Sequence, residues 1–309
     1  MHVVLFAWCP TSVLYLDALA ATGIAPRLVV TGTRTSARAP LALACHRLGV
    51  PLERRDDVNA PDLVARLAAL PVDLLLVAGC ARVLGPEILA APRLGALNFH
   101  PSRLPDYRGK EPLFWALLRG EPTVAITVHH LTDEIDGGPI VFQRDVPVPA
   151  RATSASLAAL VDAAGAALVP ETLALAAAGP IPAGSRAPAA GSHFPPLRPE
   201  HGLLDFTRDA VELDRLVRAA HGEIPAWCFH RGFRLIVLEG EPVAEPSGAL
   251  PGRVVSLADG TLTVAAGRGA YRIRHFLFLD RVHDGATLGA AIGIGLGAAL
   301  TANPAFDVP

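Results

Sequence analysis

The chain has 309 residues, of which 51% are hydrophobic and 18% are charged, with a formal net charge of −2 at pH 7. This composition predicts a globular protein with a sizeable core, and the missing basic surplus argues against strong nucleic-acid binding. The four cysteines form no CxxC pair and no compact Cys/His cluster, which argues against a zinc site and favours a cytoplasmic location.

The first 150 residues alternate between strand and helix patterns. Apolar runs of strand length lie at 2–6, 27–30 and 73–79, and helical patterns lie at 12–22, 40–48 and 61–70. Runs that are apolar on both faces are typical of parallel strands covered by helices. This order predicts an α/β fold with a doubly wound, mostly parallel sheet.

The middle of the chain continues this pattern. A strand at 97–100, a helix near 111–119 and a strand at 123–131 are followed by a long helix at 156–179. Because proline disrupts a helix interior, we expect this helix to kink or break near Pro170. Residues 180–199 contain six prolines and little periodicity, so we predict a linker there.

The last third predicts a smaller, β-rich, barrel-like domain. A helix pattern at 209–220 precedes strand patterns at 234–243, 252–257, 261–266 and 271–278. Asp259-Gly260, between two of these strands, favours a hairpin turn. We therefore predict a first domain over 1–180, a linker over 181–200 and a second domain over 201–309. The apolar run at 285–300 is shorter than the ~20 residues of a membrane helix, so we predict no membrane partner.

Three polar residues near strand ends form a candidate catalytic site. Asn98 and His100 are two apart in an extended segment, so their side chains point to the same side. Asp136 follows the strand at 123–131 and precedes two glycines, which permit tight turns. Ligands of open α/β sheets bind at such strand ends.

An amide, an imidazole and a carboxylate over one cleft can support acyl transfer. Asn98 can donate to a developing oxyanion, and His100 can stabilise charge or move a proton. Asp136 can orient the imidazole and raise its pKa above about 6.5. From these residues alone, two alternatives stay open: His100 is a structural histidine, and Asp136-Gly137-Gly138 is an ordinary turn.

The segment LNFHPSRLPDYRG, with TVHHLTDEIDGGPIVFQRDVPV after it, resembles the signature of the folate-dependent formyltransferases. That family includes glycinamide ribonucleotide, methionyl-tRNA and sugar N-formyltransferases. The resemblance implies transfer of a formyl group from 10-formyltetrahydrofolate to an amine, with no metal required. It also implies that Asn98 and His100 polarise the formyl oxygen, while Asp136 orients His100 and relays the proton.

The same resemblance implies a pocket for the folate. CARVLGPEIL, at 80–89, is similar to the family segment that lines the pterin. The residues implied to form the pocket are Arg82, Val83 and Leu84 on one wall and Asp133, Glu134 and Ile135 on the other. The first domain would then be the catalytic one, and the second would be associated with the substrate.

Departures from the family pattern guide the prediction of the acceptor. FAWCPTSVLYL lacks the glycine-rich loop that grips the phosphate of glycinamide ribonucleotide, and the linker has only Arg186 and Arg198 as basic residues. DYRGKEPLFWALLRGE, at 106–121, resembles the sugar formyltransferases and related tailoring enzymes. We therefore predict a small amine as acceptor, an amino sugar or another biosynthetic amine, without a nucleic-acid partner. Three alternative functions stay open: methionyl-tRNA formylation, formimidoyl transfer and formyltetrahydrofolate hydrolysis. A homodimeric assembly also stays open.

Overall fold

The computed structural model describes residues 1–33, 38–80, 82–184, 191–222, 224–244 and 248–302. The chain forms two compact units. The first unit comprises Met1–Pro112, Pro122–Val148 and Ser156–Pro195, and the second comprises Leu113–Glu121, Pro149–Ala155 and Pro196–Pro309. The domain boundaries at 180 and 200 stay a prediction, and Arg186 of the predicted linker lies outside the described residues.

The strands are β1 Val3–Ala7, β2 Leu28–Thr31, β3 Leu52–Arg54, β4 Leu74–Ala78, β5 Ala96–His100, β6 Arg108–Gly109, β7 Thr123–His130, β8 Ile140–Pro147, β9 His193–Phe194, β10 Ala226–His230, β11 Phe233–Val243, β12 Val254–Ala258, β13 Thr261–Ala265, β14 Ala270–Phe278 and β15 Arg281–His283. The helices are α1 Val13–Ala21, α2 Arg38–Leu48, α3 Pro61–Ala69, α4 Pro86–Ala90, α5 Pro112–Arg119, α6 Ser154–Ala166, α7 Val169–Ala178, α8 Ala210–Ala219 and α9 Gly285–Ile292. Every helix and strand predicted from the sequence is present.

The first unit contains a seven-stranded sheet in the order β3-β2-β1-β4-β5-β7-β8. The first five strands of this order are parallel, whereas β7 and β8 are antiparallel to their neighbours. Strands β1 and β4 are buried along their whole length, as a sheet covered on both faces requires. The predicted doubly wound, mostly parallel fold is therefore confirmed.

Strand β8 was not predicted from the sequence. It lies at the edge of the sheet, and its centre, at 143–145, carries the exposed polar side chains of Gln143, Arg144 and Asp145. Charged residues are typical of edge strands, because they discourage pairing with another chain. They also hide the alternating apolar pattern by which a strand is predicted from sequence.

The predicted break in the long helix is confirmed. Helix α6 ends at Ala166 and α7 begins at Val169, so Pro170 lies in the first turn of α7, where no intrahelical N–H bond is lost. The stretch Ser154–Ala178 has the length and mean hydropathy, 1.5, of a membrane span. Buried side chains such as Leu157 and Leu173 give these helices their apolar character within the core of the first unit.

The second unit contains an antiparallel sheet in the order β10-β11-β14-β13-β12, with β15 paired to β14. Asp259 and Gly260 both have positive φ, 51° and 71°, and form the predicted hairpin turn between β12 and β13. Thr301 pairs with Phe229 of β10, and Ala299 pairs with Arg253, next to β12. The end of the described chain thus connects the two edges of the sheet, which gives the predicted barrel-like form.

Candidate active site

Asn98 and His100 lie on the same face of β5, as the sequence predicts. The intervening Phe99 points to the other face, where its ring packs edge-on against Tyr15 at 4.9 Å between centroids. His100 is the last residue of the strand, and its side chain is only 6% exposed. The strand thus presents an amide and an imidazole at its carboxyl end, with an aromatic anchor beneath them.

The loop after β7 brings Asp136 to the same place. Asp136 has a φ of 49°, a left-handed conformation that aspartate tolerates better than most residues. A β-carbon at Gly138 would lie 1.8 Å from the carbonyl oxygen of His130, so the turn requires glycine there. Asp136 Oδ2 accepts a hydrogen bond of 2.8 Å from the backbone N–H of Gly109. Its Oδ1 lies 3.6 Å from His100 Nδ1.

His129 completes the cluster and was missed from the sequence. Asn98 Nδ2 and His129 Nε2 are 3.2 Å apart, and His129 Nε2 is 3.6 Å from Asp136 Oδ1. His129 Nδ1 lies 2.9 Å from the carbonyl oxygen of His130. Because a carbonyl only accepts, Nδ1 carries the proton in the neutral ring, and Nε2 accepts from the Asn98 amide. His129 therefore fixes the orientation of Asn98.

The signal for His129 is its register in the sheet. Asn98 and His129 are directly opposite each other in the antiparallel pair of β5 and β7. Directly opposite residues point to the same face of a sheet. The pairing of the two strands, rather than the local sequence, therefore places His129 beside the predicted residues.

His100 has the opposite tautomer. Its Nε2 lies 3.1 Å from the carbonyl oxygen of Tyr107 and therefore donates to it. The unprotonated nitrogen of the neutral ring is then Nδ1, which faces Asp136. A proton taken up by His100 would enter at Nδ1, directly beside a carboxylate.

Burial is the largest influence on the pKa values of both His100 and Asp136. Burial lowers the pKa of His100 below its usual 6.5, and Asp136 opposes this shift without overcoming it. The expectation that Asp136 raises this pKa above 6.5 is therefore wrong, because the ring is removed from water. Burial by itself would raise the pKa of Asp136, but His100, His129 and the N–H of Gly109 together lower it from 3.8. At neutral pH the imidazole is neutral and the carboxylate is ionised.

Asn59 holds the backbone of the first predicted wall of the folate pocket, Arg82, Val83 and Leu84, through two hydrogen bonds. Its Nδ2 donates to the carbonyl oxygen of Val83 over 3.0 Å, and its Oδ1 accepts from the N–H of Gly85 over 2.7 Å. Leu84 is buried in the core, whereas Arg82 is exposed and the side chain of Val83 is 63% exposed. The backbone at Val83 and Gly85 is thus fixed, while the side chain of Val83 is exposed and can contact a ligand.

The second predicted wall is a turn with exposed side chains. Asp133, Glu134 and Ile135 all face solvent, and Ile135 is 50% exposed. Glu134 forms an ion pair of 2.7 Å with Arg108, whose side chain is mostly buried. Ile135, next to Asp136 in the chain, thus provides an exposed apolar surface. Within the described ranges, no group of three or more His, Cys, Asp or Glu side chains is arranged to hold a metal ion.

Comparison of the sequence with known families identifies relatives over most of the chain. Residues 26–173 match the family described as formyl transferase, and residues 196–281 match the one described as formyl transferase, C-terminal domain. The methionyl-tRNA formyltransferase of Roseiflexus sp. (strain RS-1) is 35% identical over 237 residues, which cover 76% of this chain and 73% of the relative. That of Sorangium cellulosum (strain So ce56) is 30% identical over 281 residues, or 88% and 90% of the two chains.

Solved structures share the fold at low sequence identity. HypX from Aquifex aeolicus matches with a TM-score of 0.71 at 20% identity, over 96% of this chain and 48% of the HypX chain. The chain therefore spans about half the length of HypX, which has also been solved with tetrahydrofolic acid. The N-formyltransferase from Helicobacter canadensis, in complex with folinic acid and dTDP-3-aminofucose, matches with a TM-score of 0.66 at 13% identity, covering 88% of this chain and 98% of that one.

Proposed function

The chain belongs to the formyl transferase family, and on that premise we propose that it transfers a formyl group from 10-formyltetrahydrofolate to a primary amine. The observation that carries the proposal is the cluster of Asn98, His100, His129 and Asp136 at the carboxyl end of β5. It combines a positioned amide donor, an unprotonated imidazole nitrogen and an ionised carboxylate. These are the groups that acyl transfer to an amine requires.

The residues around the cluster fit a folate donor. Val83 and Ile135 are apolar yet exposed, and the backbone that carries Val83 is fixed by Asn59. We propose that these two side chains contact the faces of the pterin, with Leu84 anchoring one wall from the core. The folate ligands of the HypX and Helicobacter canadensis structures support this choice of donor.

The donor supplies an activated formyl group, and the protein supplies polarisation of its oxygen. One N–H of the Asn98 amide is held by His129, which leaves the second N–H for the formyl oxygen. A donor fixed in advance stabilises charge that develops on that oxygen without reorganisation during the reaction. Removing one such donor typically slows a reaction by roughly 10²–10³-fold.

His100 and Asp136 supply the path for the proton. The amine nitrogen bonds to the formyl carbon and loses a proton, while the bond from that carbon to the folate nitrogen breaks and the folate nitrogen takes up a proton. His100 Nδ1 can accept this proton, and Asp136 Oδ1, 3.6 Å away, stabilises the imidazolium that results. The N–H of Gly109, which donates to Asp136 Oδ2, helps to keep the carboxylate ionised for this role.

For the acceptor, we propose the α-amino group of methionyl-tRNA as the first candidate. The curated relatives at 35% and 30% identity that cover most of this chain are methionyl-tRNA formyltransferases. A small biosynthetic amine, such as an amino sugar, is the second candidate. The slightly acidic chain and the weakly basic linker favour it. The chain has only four cysteines and no CxxC pair, which supports a cytoplasmic location, and we also propose this location.

The acceptor can be identified by incubating the full chain with 10-formyltetrahydrofolate and one acceptor at a time. The arms are methionyl-tRNA, a panel of amines that includes nucleotide-linked amino sugars, and no acceptor. Mass spectrometry would detect the gain of one formyl group on the acceptor. Formylation of methionyl-tRNA alone supports the first candidate, and formylation of a small amine alone supports the second. Formate release without any acceptor would contradict transfer and indicate a hydrolase.

The role of the cluster is tested by Asp136→Asn. We expect turnover to fall by at least ~100-fold, because a positioned acid–base partner typically contributes 10²–10⁴-fold. The matched control is Asp145→Asn, which removes a carboxylate that is 55% exposed and paired with Arg103 on the surface. A near-wild-type rate for Asp136→Asn in a folded protein would refute the proposed mechanism.

A further inference from the structure

The second unit contains a cavity of about 480 Å³ between α8, β11 and the segment at 151–153. None of its lining residues belongs to the proposed active site. Its polar wall is formed by Arg151, Arg218, His221, Glu239 and His275, and Val217, Leu238 and Val282 provide an apolar wall. The volume lies in the range of small-molecule sites, roughly 300–1,000 Å³.

Both arginines are held in place by one buried carboxylate. Arg151 Nη1 and Arg218 Nε each donate to Asp214 over 2.8 Å, and the Asp214 side chain is only 7% exposed. Arg151 Nη2 also donates to the carbonyl oxygen of Gly240, and Arg218 Nη1 to that of Ala152. Two positive charges therefore share one negative charge, and each guanidinium uses two of its five N–H groups in these bonds.

The two histidines add further polar groups to this wall. His221 Nε2 donates to the carbonyl oxygen of Leu238 over 2.9 Å, so its ring is fixed. His275 Nδ1 lies 3.0 Å from Glu239, the one carboxylate among the residues that line the cavity. The formal charges of the two arginines are balanced by Asp214 and Glu239, so what this wall offers a ligand is the unused N–H groups of two fixed guanidiniums.

The floor next to Gly240 holds an unsatisfied polar atom. A β-carbon at Gly240 would lie 2.7 Å from the ring of Tyr271, so the phenol lies directly beneath this part of the cavity wall. Tyr271 is fully buried, and its hydroxyl has no hydrogen-bond partner among the described residues. A buried hydroxyl without a partner is unusual and marks this region as more than ordinary core.

We propose that this cavity binds a phosphate-bearing organic molecule of about nucleotide size. The remaining N–H groups of Arg151 and Arg218 would hold the phosphate, because the planar guanidinium matches phosphate geometry. The carbon part would lie against Val217 and Leu238. The binding is independent of formyl transfer and would give the second unit a ligand of its own.

The proposal is tested by isothermal titration of the full chain with AMP, with inorganic pyrophosphate and, separately, with tRNA. We expect saturable AMP binding that weakens at least about tenfold in Arg151→Gln, since a charge-assisted contact to the phosphate is lost. The matched control is Arg268→Gln, which removes the same charge from an 85% exposed site outside the cavity. Arg151→Lys keeps the charge without the planar fork, and its affinity for AMP should lie between those of Arg151→Gln and Arg268→Gln.

Thermal unfolding of each variant distinguishes lost binding from lost folding. Should Arg151→Gln unfold, Arg151→Lys replaces it, because it keeps the charge beside Asp214 and loses only the planar fork. The proposal fails when neither AMP nor pyrophosphate binds saturably at millimolar concentration. It also fails when Arg268→Gln weakens binding as much as Arg151→Gln does, or when only tRNA binds in an Arg151-dependent manner.

Discussion

At the scale of single residues, two imidazoles with opposite tautomers face one carboxylate. His100 donates through Nε2 to a backbone carbonyl, and His129 donates through Nδ1 to another. Their unprotonated nitrogens both lie 3.6 Å from Asp136 Oδ1. Because His129 Nε2 already accepts from the Asn98 amide, a proton that enters this space is held between His100 Nδ1 and Asp136 Oδ1. This arrangement suits the proton transfer from an amine that we propose for this site.

The role of His129 as a positioning residue can be tested with two variants. His129→Leu removes the acceptor of the Asn98 amide while filling the buried space, and we expect kcat to fall about tenfold or more with little change in KM for the folate. His129→Gln offers an amide oxygen to Asn98 and should recover part of this loss. Steady-state kinetics would show this, and an unchanged kcat in His129→Leu would remove His129 from the mechanism.

At the scale of elements, the site depends on a reversal of direction within the sheet. Strand β7 is antiparallel to β5, and its last residue, His130, pairs with Leu97 near the start of β5. The loop that follows β7 must therefore fold back along β5 to bring Asp136 within 3.6 Å of His100. Gly138 lets the backbone of that loop pass the carbonyl oxygen of His130 closely, and Asp136 adopts a left-handed φ at the same turn. Sparsely populated backbone conformations cluster at functional sites because surrounding contacts hold them there. The conformation of the loop thus directs the Asp136 carboxylate toward His100 and His129.

We expect Gly138→Ala to damage the site through sterics alone. The new methyl group would lie 1.8 Å from the carbonyl oxygen of His130, so the loop must shift and Asp136 must leave its position. Turnover should fall by roughly the ~100-fold expected when an acid–base partner is lost. Gly23→Ala is the control, because Gly23 has a φ of +79° but open space around it. It should reduce stability by about 1 kcal/mol and leave kcat unchanged, as measured by urea unfolding and kinetics.

At the scale of the whole molecule, the buried cluster makes stability depend on pH. Burial lowers the pKa of His100 below 6.5, so the unfolded chain binds a proton that the folded chain excludes. The contribution of His100 is therefore complete above pH 6.5 and decreases as the pH falls below it. The pKa of Asp136 is lowered from 3.8, so its contribution is lost in the same direction at more acidic pH.

The free energy of unfolding should consequently fall between about pH 7.5 and about pH 5.5, as measured by urea unfolding with linear extrapolation. His100→Gln removes the titrating ring and should reduce the slope over this interval. His275→Gln, which removes a half-exposed imidazole, provides the comparison. An equal slope in the wild-type chain and in His100→Gln would show that burial of His100 is not the source of the dependence.

The sequence by itself determined most of the strands and helices of both units, though not elements such as β3, β8, β10 and α9, and three of the residues that meet in the cluster, Asn98, His100 and Asp136. Local patterns suffice for these features, because apolar runs, proline and glycine act on the backbone within a few residues. The spacing of Asn98 and His100 likewise fixes their common face through the geometry of a single strand. The glycines after Asp136 mark the turn that carries the carboxylate.

Only the tertiary structure decided which distant residues join them. His129 enters through strand register, and the lowered pKa of His100 follows from burial by the whole unit. The edge strand β8 and the cavity, whose lining runs from Arg151 to Val282, likewise depend on long-range packing. Register and desolvation arise between segments far apart in the chain, and a local pattern does not contain them.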